Sequence, residues 1–213
     1  MSTERAVSVS PNSRLSKVRD RRAARRLARG NWSATTRHNL LVSDPPNDAY
    51  GRVTNPQRYA VLHDFARQLV DDLTEKYLVT PLTGGSVDQA VVPSDFVSEV
   101  VELSPPPGRG GPLAIAFTKF PGLIVRYGRW HHRSYPHCGC DACDESPEEL
   151  AEELRASVEE FITSQVTEQL RLWPRPSLLY KINGSWQWEL LKRREARRRG
   201  KPERVTWMPW ILR

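Results

Sequence analysis

The residues best equipped for chemistry sit in one short stretch, His137-Cys138-Gly139-Cys140-Asp141-Ala142-Cys143-Asp144-Glu145, which holds all three cysteines of the 213-residue chain. Cys140 and Cys143 form a C-x-x-C pair, and Cys138 adds C-x-C. A tetrahedral Zn²⁺ takes four thiolate or imidazole ligands at about 2.0–2.3 Å, and C-x-x-C lets two sulfurs converge on one ion. Cys138 becomes a third ligand if the backbone bends at Gly139, which glycine permits. The fourth ligand is sought among His131, His132 and His137. His137 adjoins Cys138 in the chain, so His131 or His132 is sterically easier. Three thiolates and one imidazole leave the site at a net charge of −1, before Asp141, Asp144 and Glu145 are counted. That acidic surround favours a structural zinc over one that activates a substrate.

Two other readings of the same residues stay open. Cys140 and Cys143 can act as a redox dithiol, although neighbouring acids raise thiol pKa and disfavour the thiolate. The cysteines can also be three free thiols on a capping loop. An odd cysteine count without an apolar leader argues against a disulfide framework. Motifs for other chemistry fail on inspection. His131-His132-Arg133 lacks the Glu of a zinc deaminase, and no Pro precedes Cys140. There is no His-Glu-x-x-His, Gly-x-Ser-x-Gly or Gly-x-Gly-x-x-Gly. The loop Ser104–Gly111 has a run of prolines where a phosphate-binding loop needs N–H groups, and no Gly-Lys-Ser/Thr ending. No catalytic residue is assigned, and enzymatic activity has no positive support.

The elements that must position the cysteines follow from periodicity. Asn55 and Pro56 open a helix whose apolar stripe runs through Leu62, Phe65, Ala66, Leu69 and Leu73 to Tyr77. His63 lies beside that stripe and reads as a packed or surface residue. Leu78–Leu82 and Val97–Leu103 read as strands. Residues 113–119 and 123–130 form a hairpin around Pro121-Gly122, and it delivers His131 and His132 to the cysteine stretch. Ser146-Pro147-Glu148-Glu149 is a capping box, and the helix after it reads as running through Val166 and Leu170 to Trp173-Pro174. Asn183-Gly184 joins strands 177–182 and 185–190. Lys192–Lys201 is a basic, short exposed helix, and Val205–Met208 a last strand. The expected fold is α+β: an antiparallel sheet of about four to six strands, with two long amphipathic helices packed on one face.

Charge is segregated along the chain. Residues 1–50 carry ten Lys/Arg against four Asp/Glu, residues 51–170 ten against eighteen, and residues 171–213 twelve against three. Residues 1–49 read as a basic disordered extension and 50–213 as one domain. The basic termini offer contact to nucleic acid or another polyanion. Trp186, Trp188, Trp207 and Trp210, beside the arginines of 193–199, raise base stacking. Packing in the core or at its edge is the preferred reading of these indoles. No apolar run is long enough for a membrane helix, and a cytoplasmic setting is expected.

Phe120-Pro121-Gly122-Leu123, Gly128-Arg129-Trp130-His131, Cys138-Gly139-Cys140-Asp141-Ala142-Cys143-Asp144 and Arg204-Val205-Thr206-Trp207-Met208-Pro209-Trp210 carry a resemblance. By these motifs the chain resembles an uncharacterised actinobacterial family, a domain of unknown function, from about Tyr50 to the C-terminus. The cysteine stretch is the most specific part of the match. The resemblance implies no activity, substrate or ligand.

Overall fold

Alternating apolar residues between Leu113 and Tyr135 build the centre of a five-stranded antiparallel meander in the computed structural model, which describes residues 45–84 and 93–213. Its strands are β1 (Thr80–Thr83), β2 (Val97–Ser104), β3 (Leu113–Thr118), β4 (Leu123–Tyr127) and β5 (His131–Tyr135), hydrogen-bonded in that order. Leu113, Ile115 and Phe117 point to one face together with Leu123 and Val125. Ala114 and Ala116 line the other face with Val100. The first face is covered by α1 (Val61–Lys76) and α2 (Pro147–Thr163). Leu62, Ala66, Leu69 and Leu73 of α1 meet Leu150, Leu154, Val158 and Phe161 of α2 in one continuous core. The described residues of 45–213 form a single compact unit of α+β class.

A second, four-stranded antiparallel sheet follows α2, so the strands divide between two sheets where the sequence suggested one. Its strands are β6 (Val166–Arg171), β7 (Ser177–Ile182), β8 (Ser185–Leu190) and β9 (Glu203–Trp207), in the order β8-β7-β6-β9. The short basic helix α3 (Arg193–Arg199) lies between β8 and β9 in the chain. The hairpin at Asn183-Gly184 forms as expected, with Asn183 at φ 47° and Gly184 at φ 82°. The expected continuation of α2 to Leu170 does not occur: the helix ends at Thr163 and the next residues are strand β6. Val166 and Leu170 satisfy helical spacing and strand alternation equally. The residue that decides between them is Glu168, which is fully buried and completes the period of two.

Glu168 fastens the second sheet to the first. Its Oε2 accepts N–H bonds from Arg129 (2.7 Å) and from the Trp207 indole (2.7 Å). Its Oε1 accepts from the backbone of Trp130 (2.9 Å) and His131 (3.1 Å). A buried carboxyl is tolerated when its lone pairs are filled in this way. The turn between β4 and β5 must approach closely for this, and Gly128, at φ +73°, allows it. A Cβ there would collide with the Glu168 carboxyl and the Trp207 indole.

The start of α1 also differs from expectation. A 3₁₀ turn, Pro56–Ala60, precedes the helix, and the Asn55 side chain makes no capping bond. Ser146 does cap α2, accepting from the Glu149 N–H at 3.3 Å. His63 is packed: its Nε2 lies 2.9 Å from the Gly122 carbonyl, and its ring meets Phe117 edge-on. The tryptophans divide. Trp210 is buried and donates to the Gly111 carbonyl at 2.9 Å. Trp186 and Trp188 are 45% and 64% exposed, which corrects the expectation that they are core or core edge. They stand on β8, an edge strand, on the side of the second sheet away from Glu168.

Candidate metal centre

β5 ends at Tyr135, and the chain passes through a cis Tyr135–Pro136 bond into the cysteine loop. Gly139, at φ +79°, supplies the bend between Cys138 and Cys140. The Cys140 carbonyl then accepts from the N–H groups of Cys143 (3.1 Å) and Asp144 (3.2 Å), closing a knuckle. Glu145 cinches the loop from below. Its carboxylate accepts from the backbone N–H groups of His137 (3.1 Å), Cys138 (2.9 Å) and Gly139 (3.0 Å). Burial works to raise the Glu145 carboxyl, but the three backbone donors outweigh it and hold the group below its ordinary value.

The knuckle also binds the segment leading into α1. Asp141 accepts from the Thr54 N–H (2.9 Å) and hydroxyl (3.1 Å) and from Arg52 Nε (2.9 Å), while its own N–H donates to the Arg52 carbonyl at 2.8 Å. The Thr54 N–H and the Arg52 guanidinium keep the Asp141 carboxyl below its usual range. Arg58 pairs with Asp144 at 2.5 Å. The knuckle therefore ties three elements together: the end of β5, the cap of α2 and the approach to α1.

The three sulfurs converge. All lie within 4.8 Å of one another, with Cys138 Sγ 3.3 Å from Cys140 Sγ and Cys140 Sγ 3.5 Å from Cys143 Sγ. A tetrahedral Zn²⁺ with bonds of about 2.3 Å sets its sulfurs about 3.8 Å apart, so the cluster is close to the spacing an ion would impose. All three thiols are free of disulfide bonds; Cys140 is buried, and Cys138 and Cys143 are exposed. The Cys140 thiol is lowered to about 6 by the Gly51 N–H and by contact with the other two cysteines. Cys143 is raised to about 12, chiefly by its contacts with Cys140 and Cys138. One thiolate is thus favoured, at the covered centre of the trio. The neighbouring acids do not suppress it as the sequence suggested, because Arg52, Arg58 and backbone N–H groups engage them.

The histidines are placed differently from the cysteines. His131 and His132 open β5, and four residues of extended chain, roughly 13 Å, separate His131 from Tyr135 at the knuckle end. The His131 ring stacks on Tyr180 at 4.2 Å, and its buried Nε2 has no hydrogen-bond partner. Burial, with help from Arg133 and His132, lowers its pKa to about 3. His132 Nδ1 lies 2.8 Å from the Trp130 carbonyl. His137 stands beside the knuckle, and its Nε2 contacts Glu153 of α2 at 3.0 Å. Sequence reasoning missed Arg52, Thr54 and Arg58 as partners of the loop. The one signal for them was a surplus of acids at 141–145 that needed counter-charges.

Residues 19–213 match the model of a family described as "Family of unknown function (DUF6226)", and the chain belongs to that family. The match begins well before Tyr50, so much of the basic N-terminal stretch is part of the family pattern. No curated protein and no solved structure matches the chain. No helix among the described residues is long and apolar enough to cross a membrane.

Proposed function

We propose that Cys138, Cys140 and Cys143 hold a structural Zn²⁺ that locks the end of β5, the start of α2 and the lead-in to α1 together. The observation that supports this reading most strongly is the convergence of all three sulfurs within 4.8 Å, around a central thiol already inclined to ionise. A positive ion completes the charge balance of three deprotonating thiols, and its binding energy adds directly to folding. The fourth position is assigned to His137, the histidine beside the loop, whose ring would have to leave Glu153 to fill it. His131 and His132 are left to the sheet. Three thiolates suit a reducing, cytoplasmic setting.

The dithiol alternative is less well supported. Its low-pKa sulfur, Cys140, is covered, while the exposed Cys143 is pushed upward, the reverse of an accessible attacking thiolate. Metal analysis of the full chain expressed with zinc tests the proposal. About one equivalent per chain is expected, and none in a Cys140→Ser/Cys143→Ser double variant. A metal-free wild-type protein that forms a reversible Cys140–Cys143 disulfide would replace the zinc reading with the redox one.

A further inference from the structure

The second sheet sorts its side chains by charge. Glu168, Glu189 and Glu203 all stand on the face turned toward Leu170 and Leu178. The opposite face holds no Asp or Glu. Across the strands it runs Trp186–Lys181–Thr167–Thr206, then Trp188–Leu179–Gln169–Arg204, then Leu190–Ser177–Arg171. Arg171, Arg204 and Thr206 are exposed, as are both indoles. The Lys181 ammonium lies 5.4 Å from the Trp186 ring centre.

We propose that this open face binds single-stranded nucleic acid. Three cations without a carboxylate give a face of charge +3, complementary to a phosphate backbone. Trp186 and Trp188 are two residues apart on one strand, so their side chains leave the same face of the sheet from Cα atoms about 7 Å apart. Neither indole belongs to a buried core cluster, and stacking on a base is an interaction their exposed faces offer. Aromatic residues on a four-stranded sheet stacking unpaired bases, with cations tracking the backbone, is a recurrent physical solution to this recognition problem. Gln169 on β6 adds a hydrogen-bonding group between the indoles and Arg204, and Thr206 adds one beside Arg204 on β9. A duplex fits less well, because its bases are already stacked on one another and are not offered to the indoles. This face draws Arg171, Lys181 and Arg204 from the basic C-terminal part and leaves out the N-terminal basic residues and the arginines of 193–199, so it makes a separate prediction from theirs.

The test is a titration of the full chain with labelled single-stranded RNA and DNA oligonucleotides and with a duplex of equal length. The wild-type protein is compared with Trp186→Ala/Trp188→Ala and with Arg204→Ala. Tight single-strand binding with quenching of tryptophan fluorescence is expected. The double Trp variant should lose about ten- to a hundredfold in affinity at unchanged melting temperature. Arg204→Ala should lower the dependence of log K on log salt by about 0.7. Retained affinity in the double Trp variant overturns the proposal and assigns binding to basic residues outside this face. A preference for duplex overturns it as well. So does an absence of oligonucleotide binding together with self-association that the Trp changes abolish, which would make the face an interface between copies of this chain.

Discussion

At the knuckle, charged groups find their partners within the chain. Asp141 meets Arg52, Asp144 meets Arg58, and Glu145 takes three backbone N–H groups. On the open face of the second sheet, Lys181, Arg171 and Arg204 stand beside two exposed indoles and share their side of the sheet with no acid. The inner face of that same sheet repeats the knuckle's solution, since Glu168 fills its four acceptor positions with N–H donors. Polar groups satisfied internally are the mark of a structural role. Polar and aromatic groups gathered without internal counter-charges are the mark of a surface that meets something else. Both proposals follow this contrast: the cysteine loop for stability, the open sheet for recognition.

The contrast breaks first at Glu168 if it is wrong. Glu168→Ala leaves four N–H donors without an acceptor, and a loss of at least about 3 kcal/mol in a urea titration is expected. A loss under about 1 kcal/mol would mean that the two sheets are not joined through this carboxyl. Next in size is the metal. Chelation, or the Cys140→Ser/Cys143→Ser change, should lower the melting temperature by roughly 10 °C, with no further effect of chelator on the variant.

Acid sensitivity sharpens the comparison, because buried groups titrate against stability and exposed ones do not. The folded pKa of His131 lies near 3, below its unfolded value of 6.5. Below pH 6.5 the unfolded chain takes up a proton that the folded one refuses, so stability falls as pH drops from 6.5 toward 3. The slope is at most about 1.4 kcal/mol per pH unit. His131→Phe, which keeps a ring against Tyr180, should flatten that slope in denaturation midpoints measured between pH 7 and 4. A smaller effect is expected at Asp141→Asn. Amide exchange at Thr54 should quicken several-fold while the melting temperature moves by less than about 2 °C. The smallest effect belongs to the open face. Trp188→Ala should change stability by no more than about 0.5 kcal/mol, and a larger loss would place this indole in the fold after all.

Much of the architecture was legible because it rests on local rules. The Pro121-Gly122 and Asn183-Gly184 hairpins, the Ser146 cap and the stripe of α1 are all written in short windows of sequence. What stayed hidden depends on distant partners. The role of Glu168 could not be read locally, because its four donors come from a turn 37–39 residues earlier and from a strand 39 residues later. The convergence of three sulfurs was foreseeable from spacing and glycine alone. The engagement of the knuckle by Arg52 and Arg58, some 86–89 residues upstream of their acids, was not. Trp186 and Trp188 show the limit from the other side. Alternation gave their common face, but only the sheet order revealed that this face is the open one.

Zinc K-edge X-ray absorption on the purified full chain tests the central claim most directly. The account predicts three sulfur ligands at about 2.3 Å and one nitrogen ligand at about 2.0–2.1 Å. The nitrogen should be replaced by oxygen in His137→Ala, with the sulfurs unchanged. A first shell of nitrogen and oxygen alone, or a protein that retains no zinc to measure, would contradict it.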